Sequence, residues 1–232
     1  MSDYDLYYWP IPFRGQFVRA VLAFAGKSWR EHDGAAIAKL KDGPIEHMPA
    51  PFMGPPVLID KKADVALSQT SAILLYLGET LNLLPADPAS RALSLKIVAD
   101  ALDVIDDITL DGGRLMWTKS SWKAFQPRLA KWMSLFEETL RRRGVTAESG
   151  FLFGPTPGVA DIVTATPWST MGDRFPALQA MLDETAPLTA GLTRRVAALP
   201  ALAKLAAKAR HDYGEAYCGG QIEASLRKAL GM

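Results

Sequence analysis

The stretch Ala66-Leu67-Ser68-Gln69-Thr70-Ser71-Ala72-Ile73-Leu74-Leu75-Tyr76-Leu77 joins a short apolar segment directly to an apolar segment with helical spacing. It predicts a strand that ends at Ser68 and a helix over Thr70–Leu81. A helix begins with unpaired backbone N–H groups and carries about half a positive charge at that end. We therefore expect the hinge Gln69-Thr70-Ser71 to be an anion-binding site.

The sequence before the hinge alternates between strand and helix patterns and predicts a small α/β unit. Short apolar or aromatic runs indicate strands, and apolar residues three and four apart indicate a helix. The predicted elements are a strand over Tyr4–Trp9, a helix over Gln16–Ala25, a strand over Ser28–Asp33, a short helix with loops over residues 34–55, and strands over Pro56–Asp60 and Val65–Ser68 around the turn Lys61–Asp64.

Leu84-Pro85-Ala86-Asp87-Pro88 is a break in composition, and it predicts a domain boundary there. The chain after this break has only helical patterns, so we expect an α/β domain over residues 1–84 and an all-helical domain over residues 85–232. The predicted helices are Ala89–Leu110, Trp122–Arg143, Gly158–Trp168 and Arg195–Arg210. The structure of the tail from Asp212 to Met232 stays open.

Composition and charge exclude several classes of function. The formal net charge is +1 and no long basic run is present, so nucleic acid is not an expected partner. The single cysteine, Cys218, and three scattered histidines give no metal-ligand spacing. No apolar run approaches the 18 or so residues that a membrane span needs, and the amino end is polar. These features predict a cytoplasmic protein without a membrane segment.

Four motifs together resemble the cytosolic glutathione S-transferases, in particular bacterial tyrosine-type members. They are Tyr7-Tyr8-Trp9-Pro10 followed by Arg14-Gly15, then Pro55-Pro56-Val57-Leu58, Ser68-Gln69-Thr70-Ser71-Ala72-Ile73 and Pro157-Gly158-Val159-Ala160-Asp161-Ile162. The resemblance covers nearly the whole chain. It implies a thioredoxin-like N-terminal domain followed by an all-helical domain with an apolar second-substrate site. It also implies a homodimer that uses glutathione as co-substrate and no metal.

The resemblance implies that Tyr8 stabilises the glutathione thiolate. A free thiol has a pKa of about 8.5, and a hydrogen bond donated to the sulfur favours the ionised form. Strand alternation sends Tyr7 and Tyr8 to opposite faces, so only one of them reaches the ligand. The alternative for Tyr8 is a packed core aromatic. Arg14 either strengthens the positive field at the sulfur or forms a surface ion pair.

The same resemblance assigns the glutathione backbone to the hinge and to the proline pair. Gln69 and Thr70 are expected to hold the γ-glutamyl carboxylate, although Thr70 can equally serve as a plain N-cap. Pro56 matches the family's cis-proline. The residue before it normally pairs with glutathione through both its N–H and its C=O, but Pro55 has no N–H. We therefore expect weaker glutathione binding than in typical members.

Asp100, Asp103 and Asp107 share one face of the helix over Ala89–Leu110, and Asp111 extends the line. A solvated charged face is one interpretation. The resemblance offers another, in which Asp103, or Asp100 as the second choice, reaches toward the glutathione amino group in the partner subunit.

An apolar pocket for the second substrate is expected at Ile11, Pro12 and Phe13 with Met116 and Trp117, although these residues can instead belong to the core. Asp161 is expected to reach back to the N–H of Gly158 and so to stabilise the start of its helix.

The leading function is a detoxification transferase that conjugates the glutathione thiolate to a small apolar electrophile. A second enzymatic hypothesis is glutathione-dependent peroxidase, isomerase or lyase chemistry at the same site. A non-catalytic binding or scaffold protein is the third alternative, and Pro55 favours it.

Overall fold

The computed structural model describes residues 2–232. A four-stranded mixed sheet occupies its amino-terminal part, in the order β2-β1-β3-β4. Strand β1 runs parallel to β2 and antiparallel to β3, and β3 runs antiparallel to β4. The strands are β1 (Tyr4–Tyr7), β2 (Trp29–His32), β3 (Val57–Asp60) and β4 (Val65–Ser68).

The register of the sheet brings three chain segments to one edge. Tyr7 lies opposite Val57, and Val57 lies opposite Ser68. The carboxyl ends of β1 and β4 and the amino end of β3 therefore meet there. Since neighbouring strands lie about 4.8 Å apart, the residues that continue them, Tyr8, Pro56 and Gln69, follow one another along this edge.

Three helices accompany the sheet in the amino-terminal part. They are α1 (Phe13–Phe24), α2 (Gly34–Asp42) and α3 (Thr70–Thr80), with a single 3-10 turn over Ile45–His47. Helices α1 and α3 pack against each other, and α1 also contacts the helical part of the chain. Phe17, Val21, Leu22, Ile73 and Leu77 are fully buried in this core, as the helical spacing of apolar residues predicts.

The remainder of the chain is helical, and α7 lies at its centre. Helix α7 is buried along most of its length and contacts α1, α4, α8 and α9. The helices are α4 (Pro88–Ile108), α5 (Leu110–Gly113), α6 (Lys119–Arg142), α7 (Val159–Arg174), α8 (Pro176–Thr185), α9 (Pro187–Ala197), α10 (Pro200–Tyr213) and α11 (Gly220–Leu230). A thioredoxin-like sheet unit followed by helices confirms the predicted fold class. The boundary at residue 84 falls in the connection between α3 and α4 and stays a prediction.

The continuous helix expected over Arg195–Arg210 is wrong. Helix α9 ends at Ala197, and Pro200 begins α10. Proline has no N–H to donate to the preceding turn, but it is well tolerated in the first turn of a new helix. The tail that the sequence left open contains α11.

Helix α4 ends at Ile108, and the short segment labelled α5 that follows it is a left-handed turn. Leu110, Asp111, Gly112 and Gly113 all have positive φ, at 39°, 48°, 62° and 82°. Two adjacent glycines favour such a turn because they lack the Cβ that disfavours this conformation. Asp111 lies in this turn, outside α4, so it does not continue the helix face as predicted.

Asp161 stabilises the start of α7, as predicted. Its fully buried carboxylate accepts hydrogen bonds from the N–H of Gly158 at 2.9 Å and from that of Leu152 at 2.8 Å. Burial raises the pKa of the Asp161 carboxyl, and the two N–H groups partly offset this. A Cβ at residue 158 would lie 2.8 Å from the Leu83 carbonyl oxygen. This close approach explains why glycine occupies the cap.

None of the helices within residues 2–232 is both long and apolar enough to cross a lipid bilayer. The described residues also contain no group of three or more His, Cys, Asp or Glu side chains arranged to hold a metal ion.

We predict that Asp161→Ala lowers the free energy of unfolding by about 3 kcal/mol, because it leaves one buried and one partly buried N–H group unpaired. Asp87→Ala is the matched control, since Asp87 caps the exposed start of α4 through a 2.9 Å bond to the N–H of Ser90. That change is expected to cost about 1 kcal/mol. Equilibrium unfolding in urea measures both variants, and equal losses would contradict the assigned role of Asp161.

Candidate functional site at the sheet edge

Tyr8, Pro56 and Gln69 lie along the edge where β1, β3 and β4 meet. The peptide bond between Pro55 and Pro56 is cis, as expected. Pro56 is buried and Pro55 is half-buried. Gln69 has a φ of 70° and a ψ of 118°, an uncommon conformation for a residue with a side chain. Backbone strain of this kind occurs frequently at ligand sites.

The hinge presents the open start of helix α3. Gln69 is the N-cap and the buried Thr70 is the first helical residue, so the alternative in which Thr70 is the N-cap is wrong. Within residues 2–232, no side chain accepts a hydrogen bond from the first turn of α3. The first N–H groups of the helix therefore have no side-chain acceptor, and a carboxylate there would meet both donors and a favourable dipole.

Tyr8 has a buried ring and a hydroxyl oriented by the backbone. Its ring packs so closely on Gly15 that a Cβ at that position would overlap it. The Tyr8 oxygen accepts a 2.9 Å hydrogen bond from the N–H of Arg14. Because the oxygen acts as acceptor in this bond, the phenolic hydrogen remains available for donation to another group.

Burial raises the pKa of Tyr8 to about 12, although the positive charge and the N–H of Arg14 oppose this rise. The phenol is therefore protonated across the neutral pH range. Tyr7, by contrast, stacks on His32 with ring centroids 4.1 Å apart.

The Arg14 side chain forms an ion pair with Asp106 on α4. The exposed fractions of the two side chains are 26% and 57%, so solvent screens the pair. The structure contains the surface ion pair, and the expectation that the charge of Arg14 strengthens the positive field at the sulfur stays a prediction. Its direct contact with Tyr8 is through the main-chain N–H.

Arg19, which sequence reasoning missed, is a buried cation beside Tyr8. Its side chain is 2% exposed, and it bonds Glu31 on β2 at 2.8 and 3.0 Å. It also donates to the carbonyl of Ile11 at 2.8 Å and to that of Trp9 at 3.3 Å. Its guanidinium carbon lies 5.5 Å from the centre of the Tyr8 ring. Arg19 therefore ties the loop after Tyr8 to α1 and β2. The sequence signal that could have identified Arg19 is a charged residue on the otherwise apolar face of α1.

The acidic face of α4 is mostly ion-paired. Asp100 pairs with Lys96, and Asp107 pairs with Arg128 and accepts from the Trp132 ring. Asp103 is exposed and forms no ion pair within residues 2–232. Partial burial and repulsion from Asp106, Asp100 and Asp107 raise the pKa of the Asp103 carboxyl.

The residues expected to line the second-substrate pocket lie in different surroundings. Trp117 belongs to the core, where its ring N–H donates to the Ile108 carbonyl at 2.9 Å. Met116 lies at the surface, with 38% of its area exposed. Pro12 lines a different cavity, between α1 and the helical part. Phe13 packs edge-on against Tyr217, with centroids 5.4 Å apart.

Residues of the tail thus cover the loop after β1, and no pattern in the sequence predicts this contact. Next to Tyr217, burial raises the pKa of the Cys218 thiol to about 12, so this cysteine stays protonated at neutral pH.

Comparisons with known proteins bear on this arrangement. A family model described as the C-terminal domain of glutathione S-transferase matches residues 93–229. Comparison with curated proteins gave no match.

Among solved structures, NaGST-2 has a TM-score of 0.71 at 23% identity, over 89% of this chain and 97% of that one. Na-GST-3, a monomeric glutathione S-transferase of the human hookworm Necator americanus, has a TM-score of 0.71 at 21% identity, over 88% of this chain and 96% of that one. The glutathione S-transferase of Ascaris lumbricoides has a TM-score of 0.71 at 20% identity, over 89% and 97%.

These structural similarities concern the fold, and the family model covers more than half of the chain. Together with the sheet edge and the helical part described above, the match over residues 93–229 places this chain in the glutathione S-transferase family.

Proposed function

We propose that the protein is a tyrosine-type glutathione transferase, similar to bacterial members, that conjugates the glutathione thiolate to a small apolar electrophile. The geometry of the Tyr8 hydroxyl carries this proposal. Its oxygen accepts a hydrogen bond from the main-chain N–H of Arg14, so its hydrogen is available for donation. It lies on the same sheet edge as the open start of α3. A hydrogen-bond donor for a thiolate and a set of N–H donors for a carboxylate therefore share one edge.

In this proposal, glutathione lies along the sheet edge from Gln69 to Tyr8. The γ-glutamyl carboxylate binds the first N–H groups of α3 at Thr70, with the Gln69 side chain beside it. The cysteinyl backbone lies against Pro55 and Pro56. Since Pro55 has no N–H, only its carbonyl can pair with glutathione, and one of the two usual hydrogen bonds is absent.

Tyr8 then acts as a neutral hydrogen-bond donor to the sulfur. The thiol loses its proton to solvent, and the Tyr8 hydroxyl stabilises the resulting thiolate, which lowers the pKa of the bound thiol. The sulfur attacks the electrophilic carbon and forms an S–C bond, while the leaving group departs with its bonding electron pair. Because the pKa of Tyr8 is about 12, the phenol keeps its proton throughout this sequence at neutral pH.

We further propose a cytoplasmic homodimer, with the domain boundary at residues 84–85. In the dimer, Asp103 reaches toward the amino group of glutathione bound by the partner subunit. The exposure of Asp103 and its lack of an ion pair within the described chain support this role. Phe13 is proposed to contact the electrophile near the loop that Arg19 holds in place.

Pro55 favours one alternative, a glutathione-binding protein without turnover. Retention on immobilised glutathione, followed by assay with a generic aryl halide, separates the two functions. Retention with turnover supports the transferase, and retention without turnover supports the binding protein. Failure of both would exclude glutathione as the ligand.

We predict that Tyr8→Phe lowers kcat by about 100-fold, because it removes the hydrogen-bond donor proposed for the sulfur. Glutathione affinity is expected to change little, since the carboxylate site at α3 is intact. Tyr7→Phe is the matched control and should retain activity, because Tyr7 stacks on His32. Steady-state kinetics with an aryl halide measures both variants, and equal losses would contradict the assignment of Tyr8.

We predict that Pro55→Val tightens glutathione binding by about fivefold, since it restores one backbone donor worth about 1 kcal/mol. Isothermal titration calorimetry measures this change. Pro51→Val, at an exposed position in the same connection, serves as the control and is expected to leave affinity unchanged. An unchanged or weaker affinity in Pro55→Val would refute the role given to Pro55.

A further inference from the structure

A cavity of about 340 Å³ lies between α1 and the helices α7, α9 and α10. It is separate from the sheet edge, because none of Tyr8, Pro56 and Gln69 lines it. Its walls are formed mainly by small and branched apolar side chains, among them Ala20, Ala165, Ala197, Leu202, Leu205 and Ala206. The volume falls in the lower range of pockets that hold small organic molecules.

Gln16 contributes a polar side-chain amide to the wall of this apolar cavity. It lines the cavity from α1, its exposed fraction is only 7%, and its Oε1 has no hydrogen-bond partner within the described chain. A buried amide that stays unpaired is destabilising by about 1–3 kcal/mol. Since a carboxamide can rotate to present either its oxygen or its nitrogen, a molecule in the cavity can pair with it.

The other polar groups of the cavity are already bonded within the protein. The Thr166 hydroxyl donates to the Ile162 carbonyl at 2.7 Å, and the Thr170 hydroxyl donates to the Thr166 carbonyl at 2.7 Å. The oxygens of these hydroxyls can still accept a hydrogen bond. Among the residues that line the cavity, Gln16 is the one with a buried polar atom that has no partner within the described chain, so it gains most from pairing with an occupant.

The charged residues that line the cavity are also already paired, with one another or with neighbouring groups. Arg174 pairs with Asp173 and donates to the Ala216 carbonyl at 3.1 Å. Arg210 pairs with Asp173 at 3.0 Å and with Glu215. An anionic ligand would have to displace these partners from two guanidinium groups. The cavity therefore favours a neutral molecule.

We propose that this cavity is a second binding site, for a small, neutral, mostly apolar molecule that carries one N–H or O–H group. The apolar part packs against the alanine and leucine walls, and the single polar group pairs with the Gln16 carboxamide. The proposal does not depend on glutathione chemistry, because neither the lining residues nor the ligand involve the sheet edge.

N-phenyl-1-naphthylamine is a suitable probe, since it is neutral, consists of two aromatic units and carries one N–H. We expect saturable binding to the full-length protein, measured by the rise in probe fluorescence. Ala206→Phe fills the cavity from an exposed position on α10 and is expected to weaken binding at least tenfold. Ala203→Phe is the matched control, because Ala203 is exposed on the same helix outside the cavity.

Gln16→Met tests the polar contact at nearly constant volume. It is expected to weaken binding by about fivefold, the equivalent of one hydrogen bond worth about 1 kcal/mol. The proposal is overturned if the probe does not bind, if Ala206→Phe binds as tightly as the unmodified protein, or if Ala203→Phe loses as much. An unchanged affinity in Gln16→Met overturns the assignment of the polar group. Because this readout contains no glutathione, failure here leaves the proposed transferase function untouched.

Discussion

The register that places Tyr7, Val57 and Ser68 side by side across three strands is the constraint on which the proposed site depends. It lines up the residues that follow or precede these strands, so that Tyr8, Pro56 and Gln69 share one edge. A slip of one residue in either pairing would turn the side chains of that strand to the opposite face. The buried side chains of Leu6, Leu58 and Val57 hold the register in place.

Two arginines near Tyr8 contribute in different ways. Arg14 contacts the Tyr8 hydroxyl through its main-chain N–H, while its charge is paired with Asp106 at the surface. Arg19 lies under the ring, paired with Glu31, and bonds the carbonyls of Trp9 and Ile11. The orientation of the hydroxyl thus comes from backbone geometry, and the buried cation fixes the loop that supplies this geometry. A site built on fixed backbone donors needs little rearrangement when charge develops.

Features with local causes were predictable from the sequence. The hinge at Gln69 follows from a strand pattern that meets a helix pattern, and the role of Asp161 follows from its position three residues after Gly158. Features with distant causes were not predictable. The pairing of Arg19 with Glu31 and of Arg14 with Asp106 depends on which surfaces meet. The packing of Tyr217 on Phe13 depends on the path of the tail. The break before Pro200 was missed because the alanine-rich pattern continues across it.

The central claim is that the sheet edge binds glutathione and favours its thiolate. The most direct measurement is a pH titration of the ultraviolet thiolate absorbance of glutathione bound to the unmodified protein. The arrangement of Tyr8 predicts that the bound thiol ionises at least one pH unit below the free thiol, whose pKa is about 8.5. Saturable binding with a thiol pKa equal to that of free glutathione would contradict the role of Tyr8, and no binding would contradict the site.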